Sequence, residues 1–163
     1  MCIGEFSKVY HVLGRDYNNA GRASTSIKAT LKGLGVRPEI IRRLAICAFE
    51  AEMNVVMYAT QGDMRLAVTP EMVSLRVEDS GPGIADIELA MQEGYSTATP
   101  EMREMGFGAG MGLPNIKRNS DVFEVLSHVG RGTSLSIVVN QAQGQAPGQA
   151  PEQAPGQAQG SEL

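Results

Sequence analysis

Glu50 and Asn54 stand four residues apart in the run Glu50-Ala51-Glu52-Met53-Asn54-Val55-Val56-Met57-Tyr58. On a helix these two and Tyr58 share one face, whereas Glu52 points about 200° away from Glu50. A carboxylate one turn before a neutral amide oxygen suits phosphoryl transfer. Mg²⁺ takes few protein oxygens and keeps water and phosphate ligands, so one Asn suffices as its protein contact. The Glu is then left to orient or deprotonate an attacking hydroxyl. The competing explanation is a solvated polar stripe beside the apolar face made by Leu44, Ala48, Ala51 and Val55.

Two glycine-bearing segments supply little side-chain chemistry but much backbone. Glu78-Asp79-Ser80-Gly81-Pro82-Gly83-Ile84 follows an apolar-alternating run, so Asp79 falls at a strand end. There a carboxylate can accept from an exocyclic amine while the glycines leave room for a flat ring; a plain tight turn is the alternative. Gly106-Phe107-Gly108-Ala109-Gly110-Met111-Gly112-Leu113-Pro114 fits neither G-x-G-x-x-G nor a P-loop, since no Gly-Lys pair exists in the chain. It reads as a G-x-G-x-G followed by a helix start at Pro114. Free N–H groups at such a start bind anions, but a ligand-free surface loop explains the glycines equally well.

These groups need a framework. A strand is expected over Ser7–Leu13, one helix over Asp16–Leu34 capped by Asp16, and a second over Pro38–Ala59 with Gly62 just beyond. Met64–Thr69 and Met72–Glu78 alternate around Pro70-Glu71 as a hairpin. A short helix is expected over Asp86–Gln92, then a loop from Gly94 to Gly112 and a helix from Pro114. The strands Val122–His128 and Thr133–Val139 flank Gly130-Arg131-Gly132. The fold class is α+β, a two-layer sandwich of a mixed, mostly antiparallel sheet with the helices on one face.

The chain has 163 residues, 14 basic and 18 acidic. One domain over residues 1–140 is expected, and the balance gives no basic stripe for nucleic acid. Cys2 and Cys47 make neither a disulfide framework nor a zinc site. No signal peptide or spanning helix is visible, so no membrane partner and a cytoplasmic location are expected. Residues 141–163 repeat Gln, Ala, Pro and Gly and read as a disordered tail. His11 and His128 read as strand-surface residues rather than catalysts.

Taken in order, Glu50 to Asn54, Asp79-Ser80-Gly81-Pro82-Gly83, Gly108-x-Gly110-x-Gly112 and Gly130-Arg131-Gly132-Thr133 resemble the GHKL, or Bergerat-type, ATPases over roughly Glu5 to Val139. Within that superfamily the chain is similar to the serine kinases of bacterial partner-switching modules, of the RsbT and RsbW kind, and Asp86 to Thr97, with Gly94-Tyr95-Ser96-Thr97, and Gly112-Leu113-Pro114-Asn115-Ile116-Lys117-Arg118 are similar to the RsbT branch in particular. The resemblance implies an ATP- and Mg²⁺-dependent serine/threonine-protein kinase acting on a STAS-domain antagonist, with a sigma factor or other regulator downstream and a homodimer left open. Its alternative is a nucleotide-gated regulator-binding module without phosphotransfer. The same resemblance implies Glu50 as general base, Asn54 as Mg²⁺ ligand, Asp79 as contact to the adenine amine, and Gly81 and Gly83 as shapers of the base pocket. Gly108, Gly110, Gly112 and Leu113 belong to the lid and helix start over the phosphates. Thr133 bonds near the adenine, Tyr58 packs beside the nucleotide, and Arg103 is a lid arginine reaching the γ-phosphate, a solvated charge being its alternative. Lys117 and Arg118 face phosphate, a partner or water.

Overall fold

The computed structural model describes residues 5–141. Its elements are β1 (Phe6–Leu13), a 3-10 turn (Tyr17–Asn19), α1 (Arg22–Gly33), α2 (Pro38–Tyr58), β2 (Gln61–Val68), β3 (Met72–Asp79), α3 (Ile87–Ala90), α4 (Pro100–Glu104), α5 (Gly112–Asn119), β4 (Val122–His128) and β5 (Gly132–Asn140). The strands form one sheet in the order β1-β2-β3-β5-β4, and all four pairings are antiparallel. No helix among the described residues is long and apolar enough to cross a membrane.

Period-two alternation explains the layers. Met64, Leu66 and Val68 of β2, Val73, Leu75 and Val77 of β3, and Leu135, Ile137 and Val139 of β5 all point to one face and are buried. The α2 residues Leu44, Cys47, Ala48 and Ala51, all fully buried, complete the core with Ile27 and Leu31 of α1 and Ile116 of α5. The small side chains on α2 let its backbone approach the sheet closely. Burial pushes the Cys47 thiol up to about 12, and the group acts as a core residue. On the opposite face of the sheet His11 pairs with Asp63, and Glu78 bridges Arg65 and Arg76, which lie directly across from each other.

The expected first helix is corrected. Asp16 does not cap it; its carboxylate accepts from the Asn19 amide, and Gly21, at φ 90°, breaks the chain before α1 begins at Arg22. The cap comes from α2 instead. Glu52, 2% exposed, accepts from the N–H groups of Gly21, Ala23 and Ser24 at 2.8–3.0 Å. One carboxylate thus satisfies the free N–H groups at a helix start, which also offsets its own burial. Gly62 is also reassigned: it is a buried strand residue, not a helix terminator. Within the expected 94–112 loop, Thr99 caps the short α4 with Pro100 at its first position. Finally α5 starts at Gly112, not Pro114, which still lies in the first turn where its missing N–H costs nothing. Of the proposed tail only Gln141 is described, its N–H donating to the Glu71 carbonyl at 2.7 Å; residues 142–163 lie outside the described residues.

Candidate active site

Three elements end at the same place. The last turns of α2 run over the sheet end formed by Asp79 of β3 and Thr133 of β5. Thr60 and Ser80 pin this end: Thr60 N–H and Oγ1–H both donate to the Ser80 carbonyl, and Ser80 N–H donates to the Gln61 carbonyl. The segment from Pro82 to Asn115 folds over the top. Between them lies a cavity of about 800 Å³ lined by Glu50, Asn54, Tyr58, Asp79, Gly83, Gly108, Gly110, Gly112, Leu113 and Thr133, among others.

At the sheet end the Asp79 carboxylate is half-buried. Burial raises its affinity for a proton, partly offset by hydrogen bonds from the Thr133 and Gly81 N–H groups. The Thr133 bond reaches Oδ1 at 3.2 Å. Gly81 thus stands behind the carboxylate, outside the cavity lining. Ser127 organises the floor, a role the sequence did not signal. Its hydroxyl accepts from Ile84 N–H at 2.7 Å and bonds the Thr133 hydroxyl at 2.8 Å. The glycine at 83 is required by proximity: a Cβ there would stand 2.3 Å from the His128 carbonyl oxygen.

At the other end Glu50 and Asn54 face the start of α5. A Cβ on Gly112 would lie 3.5 Å from Glu50 Oε2 and 3.6 Å from Asn54 Oδ1. The bare glycine therefore leaves a gap shared by a carboxylate and an amide oxygen, and the Asn54 amide bonds no other described side chain. Among the described residues no group of three or more His, Cys, Asp or Glu could hold a metal ion. The donor set fits a cation that brings its own phosphate and water ligands, which is the habit of Mg²⁺. Glu50 Oε1 accepts from the Asn115 amide at 2.7 Å.

The lid folds on itself. Gly94 N–H donates to the Gly110 carbonyl at 2.8 Å, and Phe107 stacks on Tyr17 with centroids 6.0 Å apart. Arg103 lies outside the cavity lining, its guanidinium directed to the carbonyls of Ala98 and Ser96 at 3.3 and 3.5 Å. Arg118 lies outside the cavity lining on the exposed surface of α5, where it pairs with Glu93 and donates to Asn115 Oδ1. Both histidines sit on strands as expected, with His11 on the outer face of the sheet.

An acceptor for an amine at one end, a carboxylate and an amide oxygen at the other, and a glycine-rich backbone between them make a site for a long, polar ligand. Sequence comparison supports this. The model of the family described as "Histidine kinase-, DNA gyrase B-, and HSP90-like ATPase" matches residues 39–143. The serine/threonine-protein kinase RsbT of Bacillus subtilis is 31% identical over 100 residues, covering 59% of this chain and 69% of that protein. An anti-sigma F factor of Caldanaerobacter subterraneus is 30% identical over 71% of this chain and 80% of its own length. Another, of Clostridium perfringens, is 27% identical over 72% of this chain and 84% of its own length.

Proposed function

This chain belongs to the histidine kinase-, DNA gyrase B- and HSP90-like ATPase family, and we propose from that membership that it is an ATP-dependent serine/threonine-protein kinase of a partner-switching module. Its protein substrate is a STAS-domain antagonist, and the downstream partner is a sigma factor or comparable regulator. The observation that supports this best is the shared gap at Gly112, where Glu50 Oε2 and Asn54 Oδ1 face one point at 3.5 and 3.6 Å. Adenine stands on Asp79, with Thr133 and Gly83 beside it, and the triphosphate runs toward α5. Mg²⁺, held by Asn54, would neutralise charge on the phosphate oxygens. Glu50 Oε2 takes the proton of the seryl hydroxyl as that oxygen attacks the γ-phosphorus, and ADP leaves. The glycine lid closes to exclude water, which would otherwise compete with the serine. Arg103 reaches the γ-phosphate in this reading only after the lid releases it from Ala98 and Ser96.

A second reading has one observation in its favour. The anti-sigma F factors cover 71–72% of this chain, against 59% for the kinase RsbT. Under it, nucleotide gates the holding of a regulator and no phosphoryl group moves. Incubation of the full chain with [γ-³²P]ATP and the antagonist protein separates the two. Label is expected on a serine of the antagonist, and Glu50→Gln is expected to abolish transfer while ATP still binds. Transfer at the wild-type rate in that variant would remove Glu50 as base. Nucleotide-dependent binding with no label on any partner would favour the second reading.

A further inference from the structure

A general base must be aimed as well as present, since a carboxylate swinging about its χ angles spends little time in line with its proton. Helix α2 itself does little to hold Glu50. One turn earlier stands Ile46, which has no donor, and one turn later Asn54, whose amide bonds no other described side chain. The hold comes from α5, where the Asn115 side-chain amide donates to Glu50 Oε1 at 2.7 Å. Asn115 is in turn oriented: its Oδ1 accepts from Arg118 Nη2 at 2.8 Å, so only the Nδ2 side is left to face Glu50. Arg118 pairs with Glu93, and Glu93 directly precedes Gly94, the residue clasped to Gly110 across the root of the lid.

We propose that Asn115 is the positioning residue for Glu50, and that through Arg118 and Glu93 it ties the aim of the base to the clasped lid. The proposal rests on the assignment of Glu50 as base. Asn115 fixes Oε1, which leaves Oε2, the oxygen 3.5 Å from the Gly112 Cβ position, directed at the gap shared with Asn54.

The test uses two variants of the full chain with opposite shape and donor content. Asn115→Ala removes both; Asn115→Asp keeps the shape and the contact to Arg118 but presents only acceptors to a carboxylate. Transfer of ³²P from [γ-³²P]ATP to the antagonist protein is measured under saturating Mg-ATP, together with KM for ATP, with Glu50→Gln as the control. Both Asn115 variants are expected to lose about 10- to 100-fold in kcat, the scale of one charge-assisted hydrogen bond. KM is expected to stay within about threefold, and Asn115→Asp should be at least as impaired as Asn115→Ala. A merely structural Asn115 predicts the reverse order, with Asn115→Asp close to wild type, and that result overturns the proposal. So does a rise in KM at unchanged kcat, which would make Asn115 a nucleotide contact. An active Glu50→Gln removes the base assignment and the proposal with it; an inactive Glu50→Gln beside active Asn115 variants removes the proposal alone. Independently of turnover, the Asn115 side-chain amide resonances in ¹H–¹⁵N spectra should move on Glu50→Ala, and unchanged resonances contradict the bond itself.

Discussion

Gly112→Ala separates stability from ligand binding at a single atom. Gly112 is the first residue of α5, and an added Cβ would meet nothing closer than 3.5 Å, which is ordinary contact. The ligand-free protein should therefore accept the methyl without strain. Replacing glycine at a helical position reduces the freedom of the unfolded chain, worth about 0.4–1 kcal/mol. For a folded unit of this size that raises Tm by roughly 1–5 °C. The ligand tells a different story. The methyl would lie in contact with both Glu50 Oε2 and Asn54 Oδ1, at 3.5 and 3.6 Å. A Mg²⁺ ion sits about 2.0–2.1 Å from its oxygen ligands, and its phosphate oxygens need the volume just beyond, which the methyl then fills. ATP affinity should fall by about 100-fold, or ~2.7 kcal/mol. Thermal melting with and without Mg-ATP reads both effects: the free protein melts higher, and the ATP-induced rise in Tm shrinks. A variant that keeps the full ATP-induced rise and transfers phosphate normally would show that the gap at Gly112 holds neither metal nor phosphate.

Two further substitutions use the charges at the ends of the sheet. Burial holds the Asp79 proton affinity above the ordinary aspartate range, so the free protein gains stability as pH falls through that raised value, because the folded state binds the proton more tightly. Asp79→Asn keeps an oxygen for Thr133 and Gly81, so it should leave the melting temperature of the free protein equal or higher at pH 7. It presents an amide where the adenine amine needs an acceptor, so the ATP-induced shift should shrink; an undiminished shift refutes the adenine contact. Asp121 behaves oppositely. The Arg43 guanidinium, with Nη2 at 2.7 Å, holds its carboxyl below the ordinary range. Its stabilisation is present above the unfolded aspartate value and is lost as pH falls through the depressed one. Asp121→Asn should cost about 1 kcal/mol at pH 7, and urea titrations should show the gap to wild type closing in acid; a constant gap from pH 7 to pH 2 contradicts the ion pair.

Local patterns were legible in the sequence and distant ones were not. The strand alternation at Met64–Val68 and Val73–Val77, and the i, i+4 spacing of Glu50 and Asn54, are properties of a few neighbouring residues, and the structure has both. The start of α1 was misread because its cap, Glu52, lies about 30 residues downstream. Its own helix shows only that Glu52 points about 200° away from Glu50, and nothing there signals the Gly21, Ala23 and Ser24 N–H groups it holds. Five-residue α4 is too short to show a period, although Thr99-Pro100 carries a start signal. Arg103 illustrates another gap: its position in the loop was visible, its direction toward Ala98 and Ser96 was not. The bond from Asn115 to Glu50 joins residues 65 apart in sequence, and nothing in either local stretch predicts it.

The glycine run from 106 to 112 also resolves into separate tasks, and these bear on how closure and chemistry are joined. A Cβ on Gly110 would strike the Gly94 carbonyl carbon at 2.4 Å, so the two ends of the lid touch through bare backbone. Gly112, two residues on, instead leaves space open toward Glu50 and Asn54. One glycine closes the lid on itself, and the next keeps the floor free for phosphate. Because Glu93 adjoins the clasp and holds Arg118, and Arg118 orients Asn115, loosening the clasp would release the aim of Glu50 at the same time. A lid coupled in this way exposes the γ-phosphate to water only while the base is out of line, which favours transfer to a docked serine over wasteful hydrolysis.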